Sequence, residues 1–394
     1  MEPSVLERIR QTNPWLFGMG VPGRSGPSRL PDRWVPRRQV NAGKLLLAGK
    51  ANIIAGPRQT GKSSLAWSAL SGVERPLFLN LEEAVFRAWC SSPARFAADL
   101  ARLGALPGAL FLEEAQWLPE AGLFIKGLVD LRLGLPILVT GSASFQFHDR
   151  LRESLAGRAS RHLLLPFSLA EVAPGEGKPP GLVELERRDA LQRMLRVGGY
   201  PEAWLSEDPA RVIGELLQAY VLRDASDLYR VERLDVFQQL LVLCAGPVGN
   251  LVNVSELASA CSLSSGTVSR YLSLMEESHL VFRPPPFAGG KRREVTAARK
   301  LYFIDNGLRN GLLGRLREES FVAPDTGAVV ENWVLSELLK ALPWPAPVRY
   351  WRSLSGAEVD FVLDLPGFLV GVEVKAGPMK APALSRSSHS FLKA

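Results

Sequence analysis

The sequence predicts an α/β fold: a parallel sheet covered by helices, then a helical segment, a winged helix-turn-helix and a second, smaller α/β portion. Three observations predict it. Between about 44 and 165, apolar strand-like runs (ANIIA, RPLFLNL, GALFLEE, PILVTG) alternate with helical stretches, as in a parallel sheet whose crossovers are helices. Residues 235–283 read as three helix-like segments and a short apolar strand. Beyond 300, the strand KLYFID, a helix around 328–341 and two strands, YWRSLSGAEVDFVLDL and FLVGVEVKA, complete the pattern.

Composition bounds the function. The 394 residues suit two or three domains of roughly 100–200 residues each. With 46% hydrophobic and 22% charged residues, the chain falls in the globular range, which excludes disordered and fibrous classes. Lys and Arg number 47 against 40 Asp and Glu, a net +7 that favours anionic partners. Basic clusters at Arg33, Arg37 and Arg38 and at Lys291, Arg292 and Arg293 would suit phosphates, or simply a solvated surface. Cys90, Cys244 and Cys261 form no close pair, so neither a disulfide framework nor a zinc site is expected. The longest apolar stretches, such as LGLPILV at 133–139, fall short of the ~20 residues of a membrane span, and the start lacks a signal-peptide core. The expected location is the cytoplasm, with no membrane partner.

Taken in order, residues 1–43 are rich in Pro, Gly and Arg, with Trp15, Phe17 and Trp34 as anchors, and read as an extended arm. The parallel-sheet domain spans 44–165. A breaker-rich connection, PFSLAEVAPGEGKPPG, opens a helical lid over 166–234, interrupted at Gly198-Gly199-Tyr200-Pro201. The winged helix-turn-helix covers 235–290, with Ser255 and Ser264 or Ser265 as N-caps of its second and third helices. The last domain covers 300–394.

The strongest motif is Gly56-Pro57-Arg58-Gln59-Thr60-Gly61-Lys62-Ser63, followed by Ser64, between an apolar strand and a helix. Gly56 and Gly61 let the backbone turn so that N–H groups and the helix N-terminus face phosphates, and Lys62 reaches the β- and γ-phosphates. Ser63 would hold Mg²⁺. ALFLEEAQWLP places Glu113 and Glu114 directly after a second apolar run: Glu113 would orient Mg²⁺ through its water shell, and Glu114 would act as general base. A third strand ends in Thr140 and Ser142, hydroxyls placed to sense the γ-phosphate or the water, or simply a polar strand end.

These motifs, with VTGSAS, AGR ending at Arg158, LPFSLAE, GGYPEAW, YVLRD, KLYFIDNGL, ENWVLSEL, YWRS, EVDFVL and GVEVKA, resemble prokaryotic AAA-type ATPases whose C-terminal domain is related to PD-(D/E)xK nucleases. The resemblance runs from about 45 to about 378. It implies an ATPase in which Arg158, in cis or from a neighbouring subunit, stabilises transferred phosphate charge; a surface arginine is the alternative. It also implies that Gly199 and Pro201 form a turn through which the lid presses on the nucleotide, where the residues alone read as a helix-ending turn. The family usually has Asp where this chain has Glu113, one methylene longer.

In the helix-turn-helix, Val268, Tyr271, Leu272 and Met275 make an apolar stripe, leaving Thr267, Ser269 and Arg270 for an outer face compatible with a major groove. The module equally reads as packing between the ATPase and the tail. In the last hairpin, the turn Leu365-Pro366-Gly367-Phe368 predicts that residues whose numbers sum to 733 face each other. Asp360 would then oppose Glu373, and Glu358 would oppose Lys375, on one face. Asp360…Glu373-Val374-Lys375 resembles the D…ExK nuclease core, with Glu331 as a further acid; the resemblance implies Mg²⁺ on the carboxylates and Lys375 beside the nucleophile. A salt-bridged hairpin is the alternative. The family continues with a helix and more sheet, so an incomplete sheet is expected here.

The expected function is an ATP-binding, Mg²⁺-dependent ATPase whose nucleotide state is coupled to a DNA-associated winged helix and a nuclease-like domain. The alternative is a nucleotide-gated protein-interaction switch with little turnover. Expected partners are ATP, double-stranded DNA, a protein bound through the C-terminal domain, and further copies of the chain.

Overall fold

The computed structural model describes residues 1–19, 30–103, 106–141, 155–173, 179–219, 225, 231, 233–287, 298–317, 325–353, 355–377 and 383–393. They form two compact units, Met1–Leu165 and Pro166–Ala394.

The first unit is built on five parallel strands, β1 (Ala51–Ala55), β2 (Leu77–Asn80), β3 (Leu110–Glu113), β4 (Ile137–Gly141) and β5 (Ala159–Leu163), in the order β2-β3-β4-β1-β5. Successive side chains leave a strand on opposite faces, so adjacent apolar residues feed two cores. Ile53, Leu79, Leu112 and Val139 pack with Phe86, Trp89, Phe96 and Phe124 from α3 (Ala84–Trp89), α4 (Pro93–Ala101) and α5 (Ala121–Asp130). Ile54, Phe78, Phe111 and Leu138 pack with Leu65 and Trp67 of α2 (Lys62–Leu70). Trp67 sits in an aromatic cluster with Phe78 and Phe111 at centroid distances of 5.2 and 5.6 Å. Helices on both faces make this the sandwich expected for buried, all-parallel strands.

The arm departs from its expected extended form. It opens with helix α1 (Pro3–Thr12), with Pro at its first position and Val5 and Ile9 buried four residues apart in the core beside α3. The two-residue stripe was too short to register as a period. Trp15 then donates its indole N–H to the Pro76 carbonyl at 2.7 Å, and Asn13 pairs both amide atoms with the Phe78 backbone, covering the β2 edge.

The second unit begins with helices Leu169–Val172, Pro180–Val197, Pro201–Leu205 and Pro209–Ala219. Helices Leu234–Ala245, Val254–Cys261 and Ser265–Glu277 follow. Ser264 caps the last of these, accepting from the Thr267 amide at 3.1 Å, but the preceding helix is capped by Asn253 rather than Ser255. Asn253 precedes the first apolar residue of that helix, where a cap must stand; Ser255 is already inside it. Strand β6 (Val281–Phe282) pairs antiparallel with β7 (Tyr302–Phe303). A short helix unforeseen in the sequence, Asn306–Leu312, follows; its two glycines disguised it. Gly307 is required there, because a Cβ would lie 2.0 Å from the Val197 carbonyl oxygen.

After helix Thr326–Ala341 comes a sheet of three antiparallel strands, β8 (Val348–Arg352), β9 (Glu358–Leu365) and β10 (Phe368–Val372), ordered β10-β9-β8. YWRSLSGAEVDFVLDL is thus two strands, broken around Gly356 (φ 86°). The hairpin register pairs Phe368 with Leu365 and Val372 with Phe361, every pair summing to 733. The tail, unreadable in sequence, forms helix Arg386–Phe391 capped by Ser385, with Phe391 against Trp351.

Asn332 joins the helix to β7. It accepts from the Phe303 amide at 2.7 Å and donates to the Phe303 carbonyl at 3.0 Å, fully buried. Asn332→Ala is expected to cost about 2–4 kcal/mol by orphaning both groups. A lowered denaturant midpoint, with faster exchange of the Phe303 amide, checks this; unchanged exchange would contradict it.

Candidate functional site

The phosphate-loop motif connects the C-terminal end of β1 to α2. Gly56 has φ 152° and passes so close to β5 that a Cβ would lie 2.1 Å from the Leu164 carbonyl oxygen; Gln59 and Gly61 also have positive φ, 55° and 88°. The loop curls back on Lys62, whose Nζ donates to the carbonyls of Gly56 (3.1 Å) and Pro57 (2.7 Å), and Thr60 Oγ1 donates to Pro57 at 3.0 Å. Pro57, Thr60 and Lys62 are buried, Arg58, Ser63 and Ser64 half-buried, and Gln59 exposed. No side chain caps α2 at Gly61. The first-turn amides of α2 thus have no side-chain acceptor at the cap, in contrast to Ser92 on α4.

β4 separates β1 from β3, so the acidic strand end lies one strand away from the loop strand. Glu113 ends β3, and Glu114 follows in a left-handed conformation (φ 54°). The Glu114 amide donates to Thr140 Oγ1 at 3.3 Å, and Gln116 donates its amide to the Glu114 carboxylate. Thr140, fully buried on β4 opposite Ile54 of β1, thereby fixes where Glu114 turns. Ser142 lies outside the described residues, as do Lys291, Arg292 and Arg293.

Arg37 was read as part of a basic surface cluster with Arg33 and Arg38. Instead it is buried and donates to the Thr60 carbonyl and to the Leu165 carbonyl, both at 2.5 Å. Two carbonyls converging on one guanidinium explain its burial; no sequence signal distinguished it from its neighbours. Arg158 immediately precedes β5, beside Ala51 at the start of β1, whereas the loop leaves the far end after Ala55. At ~3.3 Å per residue, a strand length of about 15 Å separates them, which corrects the reading of Arg158 as a cation acting in cis. Its Nε donates to Asp130 at 2.7 Å, on the rim of a cleft of about 730 Å³ shared with Lys50 and Arg132.

In the second unit, Pro201 is the first residue of its short helix. Gly198 and Gly199 pack on buried Asp305, which accepts from the Gly199 amide at 2.7 Å; a Cβ on Gly198 would lie 1.9 Å from Asp305 Oδ1. In the helix-turn-helix, Val268, Tyr271, Leu272 and Met275 are buried and Ser269 and Arg270 exposed, but Thr267 is half-buried, its hydroxyl engaged with the cap Ser264.

The hairpin acids are each held by protein donors. Asp360 Oδ2 accepts from the Val374 amide at 2.7 Å, and burial pushes its carboxyl up. Glu331 accepts from the Tyr302 hydroxyl at 2.5 Å; burial raises its pKa despite Lys300 nearby. Burial would also raise Glu373, but Lys375 at 2.6 Å and the hydroxyls of Ser385 and Ser388 outweigh it and hold the group at about 2. Among the described residues, no three of His, Cys, Asp and Glu come together to hold a metal ion. No described helix is long and apolar enough to cross a membrane.

The sequence profile of an AAA domain matches residues 48–173, and those of two domains of unknown function, DUF8612 and DUF4143, match 188–319 and 326–394. The uncharacterized proteins Rv2008c of Mycobacterium tuberculosis and Mb2031c of Mycobacterium bovis are each 30% identical to this chain over 349 residues, covering 86% of it and 73% of them. This chain belongs to their family. An uncharacterized protein of Haemophilus influenzae is 22% identical over 349 residues, 82% of this chain and 81% of its own.

The AAA-domain protein also has solved structural neighbours. The Signal Transduction ATPase with Numerous Domains protein PH0952 of Pyrococcus horikoshii, which carries a tetratricopeptide repeat sensor, is 14% identical with a TM-score of 0.33, over 81% of this chain and 47% of that one. AMPPCP-bound DnaA of Aquifex aeolicus is 13% identical with a TM-score of 0.23, over 58% of this chain and 82% of that one. The AAA domain match covers the parallel five-stranded sheet and runs to residue 173, and the matches over 188–319 and 326–394 are to domains without assigned function.

Proposed function

We propose that this protein binds ATP with Mg²⁺ at Gly56–Ser64 and hydrolyses it, and that the state of this site governs a winged-helix and nuclease-like second unit on double-stranded DNA. The observation that carries the reading is the loop wrapped on buried Lys62 at the mouth of α2, with the first amides of that helix free of a side-chain cap. The residues suit the ligand: backbone donors, one cation and the Ser63 hydroxyl converge where an anion gains most from a helix N-terminus.

When bound, Mg²⁺ supplies neutralisation of phosphate charge. Lys62 would exchange its carbonyl partners for phosphate oxygens, Ser63 and Glu113 would hold Mg²⁺, and Glu114 would accept the proton of the attacking water. Gln116 holds the Glu114 carboxylate, and Thr140 holds the Glu114 backbone amide. Arg158 enters this reading only from a second copy of the chain, and Pro201 by carrying the lid.

A second reading, a nucleotide-gated switch that binds a protein through its C-terminal domain without turnover, is favoured by Glu113 in place of Asp and by the hairpin acids being occupied by protein donors. ATP turnover by the full chain with Mg²⁺, with and without double-stranded DNA, separates the two. Turnover stimulated by DNA is the expected result. Tight binding with no turnover in either condition supports the switch, and absence of ATP binding overturns both.

A further inference from the structure

The residue that organises the C-terminal acid cluster is a lysine the hairpin motif does not include. Lys300 lies just before β7, where its backbone bridges antiparallel to Leu251. Its side chain is 4% exposed. The Nζ contacts Glu331 Oε1 at 3.4 Å and the Glu358 carboxylate, and stands 6.0 and 5.7 Å from the ring centroids of Tyr302 and Tyr350. Four elements thus converge on one ammonium: β7, helix Thr326–Ala341, β8 and the start of β9.

We propose that Lys300 is the built-in cation of this cluster and stands in the place of a divalent metal, so that the C-terminal domain folds and acts without one and does not cleave phosphodiesters. The nuclease-like reading asks Asp360, Glu373 and Glu331 to give lone pairs to Mg²⁺, which demands a near-octahedral set of oxygen ligands. Their donors are already assigned. Asp360 takes the Val374 amide, Glu373 takes Lys375 and the Ser388 hydroxyl at 2.7 Å, and Glu331 takes Tyr302 and Lys300. The expected pairing of Glu358 with Lys375 does not form, because β10 ends at Val372 opposite Phe361; Glu358 turns to Lys300 instead. A buried ammonium with three donors, two carboxylates and two aromatic faces is a satisfied arrangement; a divalent ion entering beside it would meet like charge at close range.

The test counts Mn²⁺ bound to the full chain by electron paramagnetic resonance, without nucleotide, in the wild type and in Lys300→Ala, Lys300→Met and Asp360→Asn. The wild type is expected to bind no Mn²⁺ at this cluster. Lys300→Ala, freeing two carboxylates, is expected to gain one bound ion that the wild type lacks, since affinity rises with ligand charge. Lys300→Met keeps the apolar stem in place and serves should the alanine variant fail to fold. One Mn²⁺ bound by the wild type and lost in Asp360→Asn would overturn the proposal, as would a folded Lys300 variant that gains no ion. ATP binding, measured separately on the same samples, reports on the phosphate loop and is not changed by either outcome.

Discussion

Lys62→Ala is expected to weaken ATP binding about ten- to hundredfold, the range that follows from losing a charge-assisted hydrogen bond of ~1.5–3 kcal/mol. Lys62 is 6% exposed and satisfies two loop carbonyls, so the variant removes the cation that the Gly56 and Pro57 carbonyls face and also loosens the loop before ligand arrives. Calorimetric titration with ATP and Mg²⁺ measures the loss, and a thermal melt confirms the fold. Unchanged affinity would remove the nucleotide from this loop altogether.

Glu114→Gln is expected to leave ATP binding intact and lower turnover by about 10²–10⁴-fold, the span of a lost general base. The substitution keeps shape and removes the ability to accept a proton. Because the Glu114 backbone amide, not its carboxylate, bonds Thr140, the left-handed turn survives the change. Single-turnover hydrolysis checks it alongside Glu113→Gln. If Glu113→Gln abolishes turnover and Glu114→Gln does not, the base lies on the strand end itself.

Strands β1 to β4 and the phosphate loop are legible because each coincides with a local signal, an apolar run closed by a breaker or two glycines at fixed spacing before Lys62; β5, with Arg161 and His162 in a half-exposed ASRHL, offers no such run and is not foreseen. The register beside the turn was legible, because pairing on both sides of Pro366-Gly367 is forced, but the expected pairs Asp360–Glu373 and Glu358–Lys375 do not form: β10 ends at Val372, and Asp360 takes the Val374 amide instead. What stayed hidden depends on contacts distant in sequence. Helix α1 shows only Val5 and Ile9 as an apolar face, and Asn306–Leu312 carries two glycines whose value lies in their neighbours, Val197 and Ile213. Arg37 carries no motif, and Gln116, Tyr302 and Lys300 stand in ALFLEEAQWLP and KLYFIDNGL with no role of their own legible there; their roles come from carbonyls and carboxylates that folding delivers to them. Nor does a residue beside a strand declare which end of the sheet it serves, which left the in-cis and neighbouring-subunit roles of Arg158 open in the sequence.

The hold of Arg37 has a mechanical meaning. One planar guanidinium grips the loop at Thr60 and the chain at Leu165, where the first unit ends, while Gln39 braces the Leu165 amide at 3.1 Å. A rigid fork of fixed geometry cannot lengthen. Any displacement of the loop by a fraction of an ångström must therefore either break one of these grips or pull the backbone at Leu165 with it. The arm behaves as a tie rod between the phosphate loop and the exit of the chain, and motion at one end is strain at the other.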